Sequence, residues 1–108
     1  MKVDFDAYFQ KYKLKVLAGR IEGAEYRKEL HLDKIDKEIE STEVKIEINI
    51  PQYFLSITSS FFLGCFGKSI RNLGESKFRE RYIFTCDDAL RTGIEDGISR
   101  ALNDSKIE

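Results

Sequence analysis

Three consecutive hydroxyls, Thr58-Ser59-Ser60, stand where an alternating strand gives way to an apolar run. The strand is Val44-Lys45-Ile46-Glu47-Ile48-Asn49-Ile50, ended by Pro51, and the run is Phe61-Phe62-Leu63-Gly64-Cys65-Phe66-Gly67. Hydroxyls in the first turn of a helix lie beside backbone N–H groups with no intrahelical acceptor, at the positive end of the helix dipole. A serine there is suited to carry a phosphate, which adds about −1.5 to −2 charge at pH 7, or to answer one. The same side chains have a plainer use as helix caps, worth about 1 kcal/mol. On the residues alone, both uses stand.

Other chemistry-bearing residues are dispersed. Gly67-Lys68-Ser69 ends like a phosphate-binding loop, but G-x-x-x-x-G-K-[ST] needs glycine at position 62, which is Phe62, and should precede its helix. His31 is the single histidine and sits among charged residues, so no Ser-His-Asp or Cys-His set can be assembled. Cys65 and Cys86 fall in apolar settings far apart, which predicts small core residues instead of a disulfide framework or a zinc site. Asp87-Asp88 read as the acidic first turn of a helix. No catalytic residue, metal or cofactor is expected.

The elements that must position these residues follow from spacing. Lys13–Leu17 alternates as a strand, and Met1–Phe5 reads either as an edge strand or as the lead into a short helix ending at Tyr12. Leu32, Ile35 and Ile39 recur at helical intervals in a charged stretch, predicting one amphipathic helix from about Gly23 to Ser41. Residues 51–58 read as a short polar loop. The next helix should run from Ser59 or Ser60 to Leu73 with Gly74 as C-cap, Leu63, Phe66, Ile70 and Leu73 facing the sheet, and Phe61 off the buried side. Gly64 and Gly67 inside it imply close approach to a strand or to a partner. Tyr82–Cys86 reads as a strand and Leu90, Ile94, Ile98, Ala101 and Leu102 as the stripe of a last helix, in which Gly93 and Gly97 leave a thin groove. Asn103–Glu108 reads as a frayed polar tail.

Strands alternating with helices imply right-handed crossovers and a small, largely parallel sheet. Because Lys45, Glu47 and Asn49 make one side of the central strand polar, helices should cover mainly one face, giving a two-layer α/β domain. A chain of 108 residues with 42% hydrophobic residues builds one such domain, with residues 1–12 as its least clear part. Formal net charge is −1, with ten Lys/Arg against eleven Asp/Glu over residues 1–54 and eight against eight over 55–108. That balance argues against a dedicated nucleic-acid binder. The local exception is Lys68, Arg71, Lys77, Arg79 and Arg81 against Glu75 and Glu80, a patch for an acidic partner or a solvated helix face, with Phe78 and Tyr82 nearby as stacking groups for nucleic acid. No apolar run reaches the roughly 20 residues that span a bilayer, and no signal peptide opens the chain, so a cytoplasmic, reduced, soluble protein is expected.

The strand Val44–Ile50, the segment Ile57-Thr58-Ser59-Ser60, the helix with Gly64 and Phe66-Gly67, and Gly19-Arg20 upstream together resemble the STAS-like family, in particular a group of small bacterial domains related to anti-anti-sigma factors. The resemblance covers roughly residues 13–102. It implies a STAS-like domain that works by binding a protein partner, a GHKL-type ATPase/kinase or a sigma-regulatory protein, with a serine at the helix start phosphorylated to switch that binding. By position Ser60 matches the phosphorylated serine and Ser59 the hydroxyl before it; Thr58 stands where the family usually has Asp, and Phe61 where it has Gly. The partner surface is then expected at Thr58, Phe61, Phe62, Gly64, Lys68 and Arg71. A homodimer is a further assembly to consider. Two alternative functions are an accessory or inhibitor protein of a bacterial defence or phage counter-defence system, and a weak nucleotide or nucleic-acid binder.

Overall fold

The alternating segment becomes the middle of a parallel sheet. The computed structural model describes residues 2–5, 16–51 and 54–107. Strand β3 (Ile46–Asn49) lies between β1 (Lys2–Asp4) and β5 (Tyr82–Thr85), with Ile46 beside Tyr82, Ile48 beside Phe84 and Glu47 beside Lys2. Parallel partners share a face, so Ile46, Ile48 and Tyr82 are buried together while Glu47, Ile83 and Thr85 face solvent. A second parallel pair joins β2 (Val16–Leu17) to β4 (Ser56–Ile57). Among the described residues five helices complete the α/β fold: α1 (Arg20–Glu29), α2 (Leu32–Glu40), α3 (Ser59–Leu73), α4 (Glu75–Arg81) and α5 (Asp88–Ile107).

Helix α3 is the hub, packed between α1 and α5. Its Phe62 and Phe66 meet Phe78, Tyr82 and Phe84 in a cluster of tilted and edge-on rings with centroids 5.1–6.4 Å apart. Such pairs contribute about 0.5–1.5 kcal/mol each beyond the area they bury. The α1–α3 contact is made backbone to backbone. A Cβ at Gly23 would overlap the Phe61 carbonyl, and one at Gly64 would overlap the Arg20 carbonyl. Gly64 therefore serves the chain's own helix packing and presents no partner surface, a correction to the sequence expectation. The groove expected at Gly93 and Gly97 is filled from within, by the Ile57 backbone and the Phe62 ring.

Several local expectations hold. Helix α3 spans Ser59–Leu73, and Gly74 follows at φ 84°, its N–H donating to the Ile70 carbonyl at 2.8 Å. Strand β1 is an edge strand, as one of the two N-terminal alternatives required; the helix to Tyr12 and the first three residues of Lys13–Leu17 lie outside the described residues. Others are corrected. The single helix predicted over 23–41 is two helices, because α1 closes with Leu30 N–H on the Tyr26 carbonyl and His31 turns left-handed at φ 56°. That turn lets Tyr26 on α1 and Leu32, Ile35 and Ile39 on α2 all reach the core, which one straight rod could not arrange. Part of the expected polar loop is β4, stitched to β2 and extended by Thr58 N–H on the Leu17 carbonyl at 2.8 Å. Residues 75–81 form α4, and α5 continues through the segment predicted to fray.

Candidate functional site

The two short parallel strands aim two helices the same way. Beyond Leu17 the chain enters α1 after Ala18 and Gly19, and beyond Ile57 it enters α3 after Thr58, so both helix starts lie at the carboxyl end of the β2–β4 pair. The Glu22 carboxylate lies over Gly19, occupying the start of α1. The start of α3 carries hydroxyls instead. Thr58 is extended (φ −81°, ψ 154°) and its Oγ1 accepts from Phe61 N–H at 3.1 Å, which makes it the N-cap. Ser59 and Ser60 occupy the first two helical positions, half-buried, and Thr58 is exposed.

Both serine hydroxyls meet a cation. Arg100 on α5, itself exposed, donates from Nη1 to Ser59 Oγ at 2.8 Å and to Ser60 Oγ at 3.1 Å. A guanidinium that spans two hydroxyls at a positive helix end is arranged to receive an anion that arrives on either oxygen. Arg100 is forty residues or more away in sequence, and nothing local to residues 57–62 signals it.

The remaining expected site residues separate. Phe61 and Phe62 are each 0% exposed, so neither contacts a partner; Phe61 packs on Tyr26, ring centroids 5.2 Å apart, and Phe62 joins the aromatic cluster. The apolar stripe of α3 is wide because α1 covers the side that a sheet alone would leave open. Lys68 and Arg71 are exposed, but they lie eight and eleven residues along α3 from Ser60, roughly 12 Å and 16 Å at helical rise. Lys68 approaches Asp33 at 3.6 Å.

No family model, curated protein or solved structure matches this chain significantly.

The basic run 68–81 does not form one patch. Arg79 binds Glu75 at 3.0 Å and Glu95 through two bonds of 2.8 and 3.0 Å, and Lys77 donates to the Glu40 carbonyl at 3.0 Å. Phe78 and Tyr82, the would-be stacking groups, are 0% and 2% exposed, which removes the aromatic half of the nucleic-acid reading.

A second polar cluster, wholly missed by the sequence reading, lies inside the molecule. Arg27 on α1 donates from Nη2 to Asp36 Oδ2 at 2.7 Å, from Nη1 to Ser69 Oγ and the Cys65 carbonyl at 2.8 Å each, and from Nε to Asp33 Oδ1 at 2.9 Å. Ser69 Oγ donates to Asp36 Oδ2 at 2.6 Å, and the Tyr82 hydroxyl donates to Asp36 Oδ1. Burial alone would pull the Arg27 guanidinium down, yet hydrogen bonds to Asp36 and Asp33 outweigh it and hold it above its usual range. Burial, then the Asp36 hydrogen bond, pushes the Tyr82 phenol well up, and burial does the same to the Cys65 thiol. Arg27 holds the Asp33 carboxyl below the carboxylate range. With Ser69 0% and Asp36 5% exposed, the cluster binds α1, α2, α3 and β5 to one another, and Asp33 is its exposed member. Among the described residues no three metal-ligating side chains gather, and no helix is long and apolar enough to cross a membrane.

Proposed function

We propose that the chain is a non-enzymatic, cytoplasmic regulatory module of STAS-like type that captures a protein partner at the start of α3 and is switched by phosphorylation of Ser60 or Ser59. The observation that carries this reading is the Arg100 guanidinium held on both serine hydroxyls at an accessible helix start. A GHKL-type ATPase/kinase would transfer the γ-phosphoryl group of ATP to a serine Oγ, the hydroxyl proton leaving and ADP departing. The new phosphate would then lie on the positive end of α3 with Arg100 beside it, so that the guanidinium meets a charged acceptor in place of a neutral hydroxyl. The same charge changes what the corner offers a partner, which is the switch. The docking surface in this reading is Thr58, Ser59, Ser60 and Arg100, with the phenylalanines as its buried support.

Affinity capture with wild type, Ser60→Ala and Ser60→Asp, combined with mass spectrometry and phosphosite mapping, tests it. A GHKL-type ATPase retained by Ser60→Ala, lost by Ser60→Asp, and a phosphate mapped to Ser59 or Ser60 are expected. Equal capture by both variants, or a phosphate mapped elsewhere, overturns the reading.

A further inference from the structure

Strand β5 is an edge of the three-stranded sheet, and no strand among the described residues lies on its outer side. The Thr85 carbonyl accepts from Ile50 N–H at 2.9 Å, which turns Thr85 toward β3. Backbone groups alternate sides along a strand, so those of Tyr82 and Phe84 face outward. Two contacts agree with this. Tyr82 N–H donates to the Phe78 carbonyl, and the Phe84 carbonyl accepts from Arg91 Nη2 at a long 3.4 Å. Phe84 thus presents its N–H and a weakly met C=O on the outer edge, a template for a further strand.

Helix α5 runs back along that edge. Arg91 reaches Phe84 and, a turn later, Glu95 takes the Arg79 guanidinium through two bonds of 2.8 and 3.0 Å. Between strand and helix lies a half-open groove of about 270 Å³, with Phe84, Ile94 and Ile98 in its lining and the Arg79–Glu95 fork at the amino end of β5. An apolar space of about 150 Å³ holds a benzene ring, whereas drug-sized ligands need roughly 300–1,000 Å³. The groove therefore suits one large apolar side chain whose backbone is held elsewhere, and the strand edge is beside it.

The two arginines on the rim differ. Arg79 is filled by Glu75 and Glu95. Arg91, 54% exposed, makes two long contacts among the described residues, to the Phe84 carbonyl and, at 3.7 Å, to the fully exposed Asp88. Its fork is open to a carboxylate.

We propose that the β5 edge captures an extended segment of another protein, which adds as a fourth strand, sets a large apolar side chain in the groove and places an Asp or Glu two positions away on Arg91. Side chains two apart share one face of a strand, so both reach the α5 side together. Arg91 exchanges a long bond to a carbonyl for a charged fork, and the incoming strand takes the carbonyl that it leaves. The added strand also covers Ile83, 42% exposed on the open face of the sheet. This surface shares no residue with the serine corner and does not need the STAS-like reading.

The probe is the blocked peptide acetyl-Thr-Val-Thr-Leu-Thr-Glu-amide, with the reversed order as a second arm, since a strand adds in either direction. The isotope-labelled full chain is titrated and the Phe84 amide followed by NMR. A saturable shift of that amide with slowed hydrogen exchange is expected for one of the two orders. Replacing the peptide's Glu by Gln should weaken binding about fivefold, and Arg91→Gln should weaken the Glu peptide by the same factor while leaving the Gln peptide's affinity unchanged. Binding by neither order, equal binding of a scrambled peptide that breaks the alternation, or no loss in Arg91→Gln overturns the proposal. Peptide-free broadening of Phe84 that grows with protein concentration assigns the edge to a second copy and overturns it too. If Arg91→Gln does not fold, the Gln peptide on the wild type decides.

Discussion

Replacing Asp36 by Asn strips one charge from a pair whose two side chains are each 7% exposed. The carboxylate accepts from Arg27 Nη2, Ser69 Oγ and the Tyr82 hydroxyl, three donors converging on two oxygens. An amide offers one acceptor oxygen and turns an NH2 group toward donors, so at least one of the three is left unmet. Arg27 becomes a buried cation whose remaining counter-charge, Asp33, is 61% exposed and therefore weak. Removing one partner of a buried pair costs about 3–5 kcal/mol. With unfolding entropy of about 2.1 cal/mol/K per residue, a chain of 108 residues loses about 13–22 °C of midpoint for that change. Urea unfolding followed by far-ultraviolet circular dichroism measures it directly, with an unchanged denaturant slope showing that the folded and unfolded ensembles keep their compactness. A loss under about 1 kcal/mol, the range of exposed pairs, would refute the reasoning. The double variant Arg27→Met with Asp36→Leu separates the causes. It should be more stable than the sum of the two single losses implies, because no uncompensated charge remains.

Thr58→Ala removes the cap on Phe61 N–H and should cost about 1 kcal/mol by urea unfolding, with a cost near zero showing that the hydroxyl is dispensable. Gly64→Ala should destabilise in spite of a helix-propensity gain of about 1 kcal/mol, since its methyl would overlap the Arg20 carbonyl of α1 and must push α1 off α3; a stabilised variant would contradict the backbone contact. Phe61→Asp should unfold the protein outright, seen as loss of the near-ultraviolet signal, because the carboxylate lands where the ring is 0% exposed. For pH, the Arg79 hydrogen bonds hold Glu95 low and the Arg27 hydrogen bond holds Asp33 low. Folded values below unfolded ones mean a contribution that is present above the usual carboxylate range of about 4 and is lost as pH falls through the folded values. Urea midpoints should therefore drop on acidification below about pH 4, and Glu95→Gln should flatten part of that limb; an unaltered limb counts against the pair.

Short-range features were legible in the residues. Alternation at Val44–Ile50 specifies a half-buried strand, and Ile46 and Ile48 are indeed inside with Glu47 outside. Helix α3 begins at its hydroxyls and ends at Gly74, because capping and left-handed φ depend on one or two residues and their immediate neighbours. Strand β4 was not legible, since two residues carry no period and become a strand only when β2 lies alongside.

Polar residues escaped the reading for a related reason. Arg27 and Asp36 sit in a charged stretch whose local pattern assigns them to solvent, yet they are buried. Their partners Cys65, Ser69 and Tyr82 stand 33–46 residues away. Phe61 looked peripheral against a sheet and is central once α1 closes over it.

The sequence by itself determined the type of the longer periodic elements, the polar side of the central strand and the helix start with three hydroxyls, all consequences of spacing within a turn or two. Tertiary structure alone decided which charges are buried together, that Arg100 reaches Ser59 and Ser60, and that Phe61 belongs to the core. Those outcomes depend on distances across the fold between groups separated by tens of residues, and no local periodicity encodes them.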